Sequence, residues 1–241
     1  MTLLRIDLVS DIACPWCAIG YARLQQALQS LGGAVEVDLH WRAFELNPDP
    51  ALKPEPILPA LVRKYGVPAA QMQQSQQMLM QLATGLGVNF SGMEQRLTCN
   101  TFDAHRLLKW AADAYPASPE SDSAQQALAQ QALAQQASAQ TRLKLALFDA
   151  YFGRAEQVSE HDVLLRCVEA AGLDVDAAAQ VLASTQFTDE VRAEEAAYQQ
   201  AGISSVPAFV INQRYLISGA QEPAQLAETL RQIAAEMQSS A

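Results

Sequence analysis

No apolar run in this chain approaches the roughly 20 residues that cross a bilayer, so a membrane-spanning helix is not expected. Basic residues are scarce: 16 Lys and Arg stand against 26 Asp and Glu, for a net charge of −10. They form no cluster, and an acidic chain repels phosphate backbones, so neither nucleic acid nor a membrane is expected as a partner. The segment from Met1 to Asp7 lacks a basic start, an uninterrupted apolar stretch and a small-residue cleavage site. The expectation is a soluble, cytoplasmic protein. Cysteine is limited to four residues and histidine to three. In a reducing compartment four cysteines are not a structural disulfide framework. No internal repeat is evident. What the chain does have is apolar mass: half of its 241 residues are hydrophobic. That suffices for one large domain, or for a domain carrying a substantial insertion.

Two of the four cysteines stand together in Cys14-Pro15-Trp16-Cys17. Before them, residues 3–9 alternate around Leu4, Ile6 and Leu8, as in a strand. After them, Cys17, Tyr21, Leu24, Leu28 and Leu31 recur at helical steps until Gly32-Gly33. The pair therefore falls on a helix N-terminus, where backbone N–H groups and the macrodipole favour a thiolate over a thiol. Cys14, at the entrance, is expected to attack a disulfide, and Cys17, one turn in and on the apolar face, to resolve the mixed disulfide. Pro15 suits a first helical turn, and Trp16 is expected to cover the site. The competing meaning of Cys-x-x-Cys is half a zinc site, but Cys99 and Cys167 are isolated and no histidine pair accompanies them. No metal is expected.

Val35, Val37, Leu39 and Trp41 alternate with polar residues, which completes a βαβ unit with parallel strands. A proline-rich stretch follows, Pro48 to Pro59, and from about residue 57 to 200 the periodicity is helical with no good strand candidate. Met72, Gln76, Leu79 and Leu82 mark one of these helices, and Phe102, Leu107, Leu108 and Trp110 another. Ser159 and Asp162 resemble a capping box for the helix of Val163, Leu164, Cys167 and Val168. The run 124–140 is almost entirely Ala and Gln and reads as an extended surface helix. Near the end, residues 206–211 and 215–217 read as two strands about a turn at 212–214, and Pro223 opens a last helix. The expected fold is α/β: a thioredoxin-like core, βαβ at 1–48 and ββα at 201–241, interrupted by an all-helical insertion at 49–200. Val206-Pro207 precedes a strand and could be only its start signal. Beside a Cys-x-x-Cys, a cis bond there would turn backbone groups toward Cys14 for an extended peptide or glutathione to meet.

Five stretches carry a resemblance that runs nearly the length of the chain: Asp11 to Gly20, Trp41 to Pro48, Asn100 to Leu107, Ser205 to Val210, and Ser218 to Gln221. On these the sequence resembles the DsbA/FrnE-like family of thioredoxin-fold oxidoreductases, kin of 2-hydroxychromene-2-carboxylate isomerases and kappa-class glutathione transferases. The resemblance implies a cis-proline at Pro207, a cleft between core and insertion, and a site made by Cys14 and Cys17 with Pro15, Trp16, Val206, Pro207, Asn100 and Ser218 beside them. The transferase and isomerase relatives usually carry serine where this chain has Cys14, which favours dithiol–disulfide exchange here. No bound cofactor is expected; protein or small-molecule thiols and disulfides are the expected partners, with glutathione a candidate co-substrate. Two alternatives stay open: a glutathione-dependent isomerase or transferase of a small aromatic substrate, and a chaperone-like binding protein with regulatory thiols.

The remaining polar residues admit plainer readings. Asn100-Thr101 can simply cap the helix that follows, and Ser218-Gly219 can be a turn as readily as a carboxylate site. His105 is expected to be packed, with His40 and His161 on the surface or at caps. Cys167 is expected in the core, while Cys99, just ahead of a helix, is the one further thiol with a chance of activation.

Overall fold

The computed structural model describes residues 2–116 and 137–239. Strand β1 (Thr2–Ser10) leads into helix α1 (Pro15–Ser30) and strand β2 (Val35–Ala43). The insertion then supplies α2 (Ile57–Tyr65), α3 (Ala69–Gly85), α4 (Phe102–Ala114) and α5 (Ala139–Phe148), the last running into a π turn at Asp149–Gly153. It continues through α6 (His161–Ala170), α7 (Val175–Leu182) and α8 (Thr188–Gln200). The chain ends on β3 (Ala208–Ile211), β4 (Tyr215–Ser218) and α9 (Pro223–Ser239).

The described strands form one mixed sheet in the order β2-β1-β3-β4. β1 and β2 are parallel, as the connection through α1 requires, while β3 and β4 run antiparallel. Alternation sorts the central strand: Leu4, Ile6 and Leu8 face α1 and α9, and each is fully buried. Burying such a side chain contributes about 1.5–3 kcal/mol. The opposite face places Val9 with Phe44, Ile203 and Ala208 in a smaller core under Tyr198 of α8. Asp7 is buried on that face as well. Burial works against its charge, but hydrogen bonds from Arg5 and Arg42 hold the carboxyl below the usual range.

Two expectations are corrected. The helix of Cys167 has Glu160 at its N-cap with no side-chain cap, so Ser159 and Asp162 form no capping box; Ser159 stands one residue too early to reach the N3 amide. Among the described residues of 57–200 no strand forms, as expected; an isolated bridge joins Pro56 to Leu97, and the Thr98 amide donates to the Glu55 carbonyl at 2.8 Å. Of the Ala/Gln run at 124–140, residues 124–136 lie outside the described residues. Its described end is not surface: Ala139 and Gln140 are buried, because they pack against β2.

Gln140 joins insertion to core. β2 lies at the sheet edge, so its outward backbone groups need partners from elsewhere. The Gln140 side chain accepts from the Trp41 amide at 2.9 Å and donates to the Trp41 and Leu108 carbonyls at 3.0 and 3.2 Å. Two residues on, the Ala43 amide donates to Glu194 of α8 at 2.9 Å. The indole of Trp41 donates to Thr141 at 2.9 Å.

Candidate active site

Cys14 is the N-cap of α1, extended at φ −93° and ψ 111°, and Pro15 occupies the first turn. The turn closes through the Cys17 amide, which donates to the Cys14 carbonyl at 3.1 Å. Both thiols are free. Cys14 is 4% exposed and Cys17 fully buried, so the difference in access between them is slight. Trp16, by contrast, is 43% exposed.

The Val206–Pro207 peptide bond is cis. The Cys14 thiol donates toward the Val206 carbonyl across 3.5 Å, which brings residues 192 positions apart into contact. Pro207 is held from two sides. Its carbonyl accepts from the Gly219 amide at 2.8 Å, and its ring lies against Gly20 of α1, where an added Cβ would stand 3.0 Å from the ring. Gly219 makes its turn at φ +78°, in the region glycine enters without strain. Ser218, directly before it, ends β4 and is exposed.

Behind the cysteines sits Asp11, fully buried. Its carboxylate accepts from the amides of Ala13 and Leu46 at 3.2 and 2.7 Å and from the Thr101 hydroxyl at 2.8 Å. The His105 Nε2 lies 3.5 Å away, an ion-pair separation longer than a good hydrogen bond. Burial opposes the charge on Asp11, but His105 and these donors prevail and hold its carboxyl below the usual range. Asp11 thereby ties the loop before α1 to the segment after β2 and to the start of α4. His105 is packed, as its helical position predicted.

Asn100 does cap α4, though from one residue outside the N-cap: its Oδ1 accepts from the Phe102 amide at 2.9 Å. Its Nδ2 donates to Glu45 and to the Asn47 carbonyl at 2.9 and 3.1 Å, so the amide is engaged within the protein. Cys99 differs from the activated thiol considered above. It is 2% exposed, and burial pushes it up to about 12. Cys167 lies in the core, where burial pushes it up to about 11.

Two buried cations near the thiols escaped the sequence analysis. Arg96 donates to the Met93 carbonyl at 2.7 Å and lies over the rings of Tyr151 and Phe152 at 5.6 and 5.2 Å. Lys144 of α5 is fully buried, and its ammonium has no hydrogen-bond partner, facing the rings of Trp41 and Phe148 at 5.2 and 5.1 Å. Arg96 lies against aromatic rings of a distant segment, while Lys144 faces Trp41 of β2 and, one turn along its own helix, Phe148. A groove of about 530 Å³ runs beside α1, lined by Ala18, Tyr21 and Gln25 on one side and by Val88, Leu145 and Phe148 of the insertion on the other.

A family profile described as a DSBA-like thioredoxin domain matches residues 5–119 and 113–231. The two segments take in most of the chain, and the protein belongs to that family. It is similar to a probable DsbA oxidoreductase from Streptomyces coelicolor, at 32% identity over 95% of this chain and 89% of the other, with a TM-score of 0.78. It also shares its fold with a 2-hydroxychromene-2-carboxylate isomerase, 14% identical over 98% of this chain and 99% of that one, at a TM-score of 0.62. A cytosolic disulfide reductase, DsbM of Pseudomonas aeruginosa, is a third neighbour in fold, at 16% identity, 98% and 100% coverage and a TM-score of 0.59. Thus the DsbA-like thioredoxin fold expected from the motifs holds, and the isomerase shares that fold. Among the described residues no helix is long and apolar enough to cross a membrane.

Proposed function

We propose that this member of the family is a cytoplasmic thiol–disulfide oxidoreductase whose redox pair is Cys14 and Cys17. The observation that carries the reading is the contact of the N-cap thiol of Cys14 with the Val206 carbonyl, with Cys17 one turn behind it. In this reading the Cys14 thiolate attacks a substrate disulfide and expels one substrate thiolate. Cys17, losing its proton, then displaces the second thiolate from the mixed disulfide. The substrate gains two electrons, and the protein gives them up as Cys14 and Cys17 are oxidised to a disulfide. Protein and small-molecule disulfides, glutathione disulfide among them, are the proposed substrates. Val206 and Pro207 form the floor on which the partner chain lies, with Pro15 and Trp16 at its rim, and Ser218 follows on the strand paired with β3. Asn100 supports the site through α4 and the segment after β2.

Insulin reduction by the wild type and a Cys14→Ser variant tests the assignment. The variant is expected to lose activity to the uncatalysed rate, and equal activity in both proteins would sink it. A Cys17→Ser variant that kept full multiple turnover with glutathione would favour the isomerase or transferase chemistry instead.

A further inference from the structure

Helix α1 carries the dithiol at its start, and further along it grips the loop opposite. Gly20 lies against the Pro207 ring and also against Ala220, whose Cβ would stand 3.5 Å from one added at Gly20. Three residues on, along the same face, Arg23 reaches the segment between β4 and α9. Its Nη1 donates to the Ala220 carbonyl at 2.5 Å, and its Nη2 pairs with the Glu222 carboxylate. The side chain is buried, and its Nε has no partner. Both terminal nitrogens are thus committed to one turn.

That turn is braced within itself. The Gly219 amide donates to the Pro207 carbonyl at 2.8 Å, and the Gln221 amide to the Gly219 carbonyl at 3.0 Å. The Gln221 side chain donates to the Ser218 carbonyl at 2.8 Å. The Glu222 carbonyl accepts from the amides of Gln225 and Leu226 at the start of α9. Arg23 therefore reaches the reacting sulfur indirectly. The path runs through Ala220 and Gly219 to Pro207, and on to Val206, whose carbonyl meets the Cys14 thiol at 3.5 Å.

We propose that Arg23 is a positioning residue for the exchange: by holding Ala220 from the helix that bears the cysteines, it keeps the Val206–Pro207 floor in register with Cys14 and so favours polypeptide disulfides over compact ones. This rests on the thiol–disulfide reading of the site and adds to it a substrate class. A partner chain laid along Val206 and Pro207 gains main-chain hydrogen bonds there, and any ordering of the floor on binding subtracts from that gain. Of the two bonds that Arg23 makes, the one to Ala220 matters more. The Glu222 side chain is 69% exposed, and an ion pair open to water contributes little. The bond to the Ala220 carbonyl comes from a buried, charged donor and is the stronger hold. Loss of Arg23 loosens the turn but leaves Gly20 against the Pro207 ring, so Cys14 keeps its contact with Val206. A compact disulfide, with no backbone to lay down, does not draw on the floor.

The test compares two disulfides. The aromatic disulfide DTNB is compact, and the first equivalent of coloured thiol that it releases from reduced protein, the first phase, reports attack by Cys14. Insulin, with dithiothreitol regenerating the dithiol, presents polypeptide. Arg23→Met is expected to keep the first phase within about threefold and to raise KM for insulin about tenfold, with kcat within about threefold, because binding and not chemistry is lost. Arg23→Lys keeps the charge but offers a single point in place of the fork, and its KM is expected to rise about three- to fivefold. A merely structural role would lower stability and leave the KM of the folded protein unchanged. A KM rise below about threefold in every variant that folds, a loss carried by kcat alone, or a first phase slowed in step with insulin overturns the proposal. The lysine variant decides the matter where the methionine variant does not fold. Absence of both the first phase and insulin reduction in the wild type would instead overturn the thiol–disulfide reading itself.

Discussion

A buried lysine without a hydrogen bond is costly, and the cost should be measurable. The folded-state value for Lys144 is lowered, so between about pH 8 and its ordinary range near 10.5 the unfolded chain binds more protons than the folded one. Stability should therefore rise with pH across that window, and the penalty is fully present below it. At neutral pH it amounts to something on the order of 3 kcal/mol. Lys144→Met, which keeps the length and loses the charge, is expected to require more urea to unfold at pH 7 than the wild type. The gap should narrow by pH 10. A variant less stable at pH 7 than the wild type would contradict this. At this scale Cys14 and Cys17 were legible because their chemistry is local: two thiols one turn apart on a helix start. Lys144 was not. Within Thr141-Arg142-Leu143-Lys144-Leu145 a lysine reads as a solvent-side residue, and only the rings of Trp41 and Phe148 make it an interior one.

Among the elements, α1 and β3 meet at Gly20 and Pro207, and there is no room for a side chain between them. A Cβ at Gly20 would stand 3.0 Å from the Pro207 ring and 3.4 Å from the Phe209 ring. Gly20→Val should thus cost roughly 1–3 kcal/mol by overpacking. It should also slow reaction of Cys14 with DTNB, by shifting the loop that carries the Val206 carbonyl. Denaturant titration and the rate of the first phase check the two effects; a variant with wild-type stability would show that the loop yields freely. The strands and most helices were readable because their apolar periods are long. The capping box was misread because an S-x-x-D pattern says nothing about where the first helical residue falls, and tertiary packing started α6 at His161. Cys99 was left open for a related reason. Its position before a helix suggested access, while Asp11, Arg96 and Tyr151 surround it only after folding.

For the molecule as a whole, the insertion does more than sit on the core. Gln140 and Glu194 reach from α5 and α8 to the backbone of β2, and Thr141 takes the Trp41 indole. Gln140→Leu leaves the Trp41 amide and carbonyl unpaired in a buried place. It should cost about 2–4 kcal/mol, since each buried orphan group costs about 1–3 kcal/mol, and urea unfolding would measure it. A loss under 0.5 kcal/mol would mean that water replaces the amide. That role could not be read from an Ala/Gln-rich run, where one glutamine looks like the next.

The closing of β2 also bears on how copies of this protein can meet. Charged and polar side chains, Glu36, Asp38 and His40, guard the rest of that strand, while among the described residues no strand pairs with the far edge of β4, where Leu216 is exposed. A sheet that offers one free edge can pair with a second copy only edge to edge, and the pairing consumes both. Strand addition can then make a closed pair but has no way to propagate into a fibre.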